Sequence, residues 1–108
     1  MYTRTAFFLG RTIAGSADEF RAGLETATAQ YAKLPGVRSA HLEFPLSRED
    51  SAPEIYATIR MVFDAEQDIE RALSSPERQV VRTAFAGTYL RMFDGTVAHV
   101  NSVSFDFA

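Results

Sequence analysis

The sequence predicts an α+β sandwich in the order β-α-β-β-α-β, with helices on one face of a four-stranded antiparallel sheet and a second copy of the chain on the other. Three observations lead there. Segments near residues 3–11, 37–46, 55–64 and 97–107 alternate along the chain or are rich in aromatic residues, as strands are. Two long stretches between them place apolar residues at helical spacing. The strand Ala6-Phe7-Phe8-Leu9 is apolar on both faces, and two helices cover only one face of such a sheet. The whole chain, 1–108, makes a single domain.

In the first strand Thr5, Phe7 and Leu9 share one face, with Ala6 and Phe8 on the other. Ser16-Ala17-Asp18-Glu19 has the spacing of a capping box, in which Ser16 accepts from the third amide on and Glu19 reaches back. Phe20, Leu24, Ala27, Tyr31 and Leu34 then form one helical stripe. Pro35-Gly36 ends the helix, since proline disfavours helix in the residue before it and glycine accepts a left-handed turn. The second strand runs from Val37 to about Leu46, with Ala40, Leu42, Phe44 and Leu46 on one face. Residues 47–54 are polar and contain Pro53, a loop signature. The third strand, Ile55 to Asp64, places Ile55, Ala57, Ile59, Met61 and Phe63 on one face and Tyr56, Thr58 and Arg60 on the other. A second helical stretch follows from about Asp64. Ser74-Ser75-Pro76-Glu77 predicts a break and a restart within it. Val80, Val81, Ala84 and Phe85 are the expected buried face of the restarted helix. Asp94-Gly95 reads as a turn, and Val97 to Phe107 as the last strand.

Net charge is −3 with no basic block, which argues against nucleic acid as a partner. Ten of the eleven basic residues are arginine, and Lys33 is the only lysine. No cysteine is present, which excludes a disulfide frame, a thiol nucleophile and a thiolate metal site. No signal-peptide core opens the chain, and no apolar run has the length of a membrane span. The expected setting is the cytoplasm.

The strand and helix order is that of ferredoxin-like folds. Phe20 in a first helix that ends at Leu34-Pro35-Gly36-Val37, together with Ala72-Leu73-Ser74-Ser75-Pro76-Glu77 after the third strand, resembles the dimeric α+β barrel superfamily, and within it the EthD family. The likeness covers roughly residues 3–107. It implies a homodimer with a small hydrophobic pocket. It does not imply one chemistry, since relatives include monooxygenases without cofactor, muconolactone isomerases, haem-degrading enzymes and stress-response proteins. One departure stands out. EthD-like helices usually carry His-x-Pro shortly before the Leu-Pro-Gly end, and the matching stretch here is Ala27-Thr28-Ala29. The family's helix histidine has no counterpart in this chain.

Three groups of residues are candidates for chemistry. If the second and third strands pair around residues 50–51, His41 lies opposite Arg60 and Glu43 opposite Thr58, with Tyr56 continuing the row. There His41 would act as general base, Glu43 would orient it and Arg60 would hold an oxyanion. The competing reading is an ordinary cross-strand ion pair. His99 with Asn101 on the last strand is the second candidate, against a hydrogen-bonded core or interface histidine. Tyr31, Phe85, Tyr89, Met92 and Phe93 form the third, either lining an apolar pocket or packing the core. The two histidines share no local metal-ligand spacing, and no metal or other cofactor is expected. The first functional expectation is a cofactor-independent monooxygenase or isomerase acting on a small aromatic or lactone-like molecule, dependent on His41 and Arg60. The alternatives are a non-catalytic dimer that binds a small ligand or is structural, and a haem-binding or haem-degrading protein with an axial histidine.

Overall fold

The computed structural model describes all 108 residues. Its elements are β1 (Tyr2–Thr12), α1 (Ala17–Tyr31), β2 (Val37–Glu43), β3 (Ile55–Phe63), α2 (Gln67–Leu73), α3 (Pro76–Thr88) and β4 (Phe93–Val103), with one 3-10 turn, Leu90–Met92, ahead of β4. The sheet order is β2-β3-β1-β4, and every pair is antiparallel. β1 is therefore a central strand, which agrees with its two apolar faces. Phe8 is buried under the helices, while Phe7 and Leu9 lie on the opposite face.

Two clusters make the core between helices and sheet. The first joins Phe8, Phe20, Leu24, Ala57, Ile59 and Phe93. Phe20 stacks on Phe93 with ring centroids 5.2 Å apart, and Phe8 meets both edge-on. The second joins Leu34, Met61, Phe63, Ile69 and Ala72. The stripe predicted for α1 supplies Phe20, Leu24 and Ala27 from the helix and Leu34 from the turn after it. Gly36, at φ +81°, makes the reversal into β2. The break before Pro76 is also as expected. Ser75 is extended (φ −70°, ψ 144°), and its Oγ accepts from the Arg78 amide at 3.2 Å.

Several boundaries differ from the sequence reading. Ser16 does not form the capping box: its ψ of −1° is helix-like, and its side chain accepts no amide. β2 stops at Glu43 rather than near Leu46. Phe44 turns to Tyr56 and Arg21, and Leu46 is fully exposed. Tyr56 does not share a face with Thr58 and Arg60. A bulge where Phe8 and Leu9 meet Ala57 and Ile55 swings its ring to the helix side, against Phe20 and Phe93. Asp94-Gly95 is not a turn but continues β4, pairing with Arg11 and Gly10. Gly10 sits at φ +138°, and a side chain there would come within 2.9 Å of the Gly95 Cα, so the two glycines permit this close pairing. The last strand accordingly begins at Phe93 and ends at Val103, leaving Phe105 and Phe107 exposed beyond it. Val80 and Ala84 of α3 face solvent, and Val81 is the buried residue of that helix.

Candidate functional site: a cationic cavity between helices and sheet

Between α3 and strands β1 and β4 lies a cavity of about 680 Å³, within the range of small-molecule sites. α3 borders the cavity with the half-buried Arg78 and Phe85 beside Val81, and with the exposed Arg82 at its rim. Its floor is the sheet, through Phe8, Ile59 and Met61, and α1 contributes Ala27 and Tyr31. Arg4 of β1 and His99 of β4 complete the polar part. Both follow from alternation. Arg4, Ala6 and Phe8 share one face of β1, and Ala6 is paired with His99.

Charge in the cavity is one-sided. Arg4 Nη1 donates to Asn101 Oδ1 at 3.0 Å, and neither Arg4, Arg78 nor Arg82 has a carboxylate within ion-pair distance. Burial lowers the pKa of Arg4, and the neighbouring Arg78 lowers it further. His99 is held below its ordinary value of 6.5, first by desolvation and then by Arg4, Arg78 and Arg82. It is therefore neutral at pH 7 and able to accept a proton. Burial raises the Tyr31 hydroxyl pKa, against the pull of the three arginines. A neutral imidazole beside fixed cations can take a proton from an acidic C–H or O–H and leave the resulting anion stabilised.

The other candidates fall elsewhere. His41 pairs with Arg60 and Glu43 with Thr58, in the register centred at residues 50–51. Arg60 Nε lies 3.5 Å from Glu43 Oε1, and His41 Nε2 lies 3.0 Å from Ser39 Oγ rather than against Glu43. This row continues through Thr5 to Val100 on the sheet face away from the helices. His99 is one residue from Val100 and faces the other way. The two histidines thus stand on the two edge strands and on opposite faces of the sheet, so within one chain they cannot meet on one ligand. Of the ligand-binding candidates, Tyr31 and Phe85 line the cavity. Tyr56 belongs to the aromatic core, and Asn101 reaches the site only through Arg4. Tyr89 packs between Phe85 and the bare Cα of Gly23. Met92 and Phe93 are core as well. Sequence reasoning missed Arg4, Arg78 and Arg82. The available signal was the i, i+4 spacing of Arg78 and Arg82 next to Val81 and Phe85, and the alternation of Arg4 with Ala6 and Phe8.

No family model matches the chain, and no curated protein does. Solved structures do. An ethyl tert-butyl ether D (EthD) family protein from Bacillus halodurans superposes with a TM-score of 0.73 at 11% identity, over 97% of this chain and 99% of that one. SnoaB, a cofactor-independent oxygenase from Streptomyces nogalater, superposes with a TM-score of 0.58 at 24% identity, over 98% and 93%. A dimeric ferredoxin-like protein of unknown function from Thermobifida fusca gives 0.67 at 10%, over 96% and 92%. At these identities the likeness is one of architecture, and at that level the resemblance to the EthD family holds: the chain has the ferredoxin-like α+β fold.

Proposed function

We propose that the protein binds a small hydrophobic molecule in the cavity between α1, α3 and the sheet and moves a proton on it through His99, in a cofactor-independent oxygenation or an isomerisation. The observation that carries this reading is the convergence of a neutral histidine, a tyrosine and three arginines on one apolar-floored cavity. His99 accepts a proton from the bound molecule, and the arginines hold the enolate or phenolate that forms. In an isomerisation the proton returns at another atom. In an oxygenation the carbanion is captured by molecular oxygen. The likeness to SnoaB in fold supports the second outcome. The decisive test is turnover of phenol, anthrone and lactone substrates by the protein and by His99→Gln, with oxygen uptake recorded. Loss of turnover in a folded H99Q protein supports the assignment, and unchanged turnover removes it. His41, Glu43 and Arg60 have no part in this site. His41→Ala is the matching control and keeps activity.

A second reading is favoured by Ala27. That residue lines the cavity at the position where EthD-like helices resemble this one but carry histidine. On this reading the cavity binds without converting, and ligands raise thermal stability with no product formed. Under either reading we infer a homodimer built on the helix-free face of the sheet. Phe7, Leu9 and Val100 lie on that face, and the dimeric Thermobifida neighbour supports the inference.

A further inference from the structure

The protein carries more negative than positive charge, and five of its ten arginines are neutralised within the chain, by Glu54, Glu25, Asp64, Glu43 and Asp68. Arg4, Arg78 and Arg82 are not, although fourteen acidic residues are available. Glu70 acts on Arg4 only from beyond ion-pair distance. The three come from different parts of the fold, one from the sheet floor and two from a helix above it, and they face one cavity. Arg78 and Arg82 stand at i, i+4, a spacing at which like charges destabilise a helix. Partial burial gives Arg4 a desolvation cost of its own. A core would not gather cations over Phe8, Ile59 and Phe85 for packing alone.

We infer that the ligand of this cavity is a hydrophobic anion, an aromatic or aliphatic acid whose carboxylate is held by Arg4, Arg78 and Arg82 while its carbon skeleton lies on Phe8, Ile59 and Phe85. The inference rests on the cavity being the ligand site and adds the charge of what enters it. Guanidinium groups suit a carboxylate because their N–H donors match its two oxygens in one plane. The apolar floor supplies affinity for the skeleton, and Asn101 fixes Arg4 in place.

The test uses a pair of probes of the same shape, naphthalene-2-carboxylate and naphthalene-2-carboxamide, titrated calorimetrically into the intact protein at low and high salt. The expected result is that the acid binds about tenfold more tightly than the amide or better, a difference of about 1.4 kcal/mol. That advantage shrinks in high salt and disappears in an Arg78→Gln/Arg82→Gln variant whose circular dichroism is unchanged. Arg4→Gln, made separately, reduces it in the same direction. Equal binding of acid and amide, abolished by the cavity-filling Ala86→Trp, overturns the anion inference and leaves the cavity reading standing. An acid preference that survives both arginine variants overturns the assignment of the arginines. Binding of neither probe, or binding that Ala86→Trp leaves intact, overturns the cavity reading and this inference with it.

Discussion

Two glycines in helices have the same intrinsic propensity and opposite surroundings, and they give a sharp test of the packing described above. Gly23 is buried in the middle of α1, and Gly87 lies in the last turn of α3. A methyl group at Gly87 meets nothing within 4 Å, whereas one at Gly23 overlaps the Tyr89 ring at Cγ and Cδ1 and comes within 2.7 Å of Cδ2. Alanine at either position gains up to about 1 kcal/mol of helix propensity. At Gly87 that gain is all there is. At Gly23 the clash is with the root of the ring, so a turn about the last torsion does not relieve it. The ring must leave Phe85, whose centroid is 5.7 Å away, or α3 must shift. The root of the ring cannot swing aside, so the cost falls in the upper half of the range of about 1–3 kcal/mol for overpacking, which leaves Gly23→Ala less stable by about 1–2 kcal/mol in net. With an unfolding entropy near 2.1 cal/mol/K per residue, 108 residues convert 1 kcal/mol into about 4 °C. Thermal unfolding followed by circular dichroism then shows Tm falling by about 4–8 °C in Gly23→Ala and rising by up to about 4 °C in Gly87→Ala. In a Tyr89→Ala background the Gly23→Ala change becomes neutral or stabilising, a coupling of about 2 kcal/mol. A Gly23→Ala protein as stable as the parent, or a coupling near zero, shows that Tyr89 does not pack against the bare Cα of Gly23.

Other outcomes follow from the site and its supports. The His99 pKa is lower in the folded chain than in the unfolded one, so the stability tied to neutral His99 is complete above its ordinary value of 6.5 and is lost as pH falls through the depressed folded value. His99→Gln lacks that loss, and its Tm relative to the parent therefore rises between pH 7 and pH 5; parallel Tm curves count against the assignment. The charged groups that act on His99 are Arg4 from β1 and Arg78 and Arg82 from α3, and Tyr31 from α1 lines the same cavity. Binding of a carboxylate beside His99 raises its pKa, visible in the imidazole proton shifts by nuclear magnetic resonance, and a fall in pKa contradicts the charge argument. Ser75→Ala loses the cap on α3 and costs about 1 kcal/mol in chemical denaturation, while a change within error shows that Pro76 alone starts the helix. Val100→Glu places a charge in the inferred dimer face and weakens association about a hundredfold or more. Analytical ultracentrifugation measures this, and a monomeric parent removes the dimer inference.

Much of the architecture was legible because it depends on local pattern. The alternation of Leu42, Glu43, Thr58 and Ile59 fixed the β2–β3 register, since a slip by one residue would expose Ile59 and bury Arg60. Ser75-Pro76 marked the helix break because it is a local covalent signal. What could not be read depends on how elements meet. Tyr56 changes face through a bulge that answers to Phe8 and Leu9, more than forty residues earlier in the chain. Asp94-Gly95 resembles a turn until the partner strand shows a second glycine, Gly10, opposite it. The arginine cluster required both the alternation of β1 and the rotation of α3, and no window of sequence contains both. The neighbours of His41 could be read from the pairing of two adjacent strands, whereas those of His99 become visible only when α3 is laid over the sheet.

The cavity and the face that carries Phe7, Leu9 and Val100 lie on opposite sides of one sheet. A dimer built on that face would leave the lining of the cavity undisturbed when dilution separates it. Saturation curves taken at very different protein concentrations would then superimpose, because the sheet backbone is all that the two surfaces share.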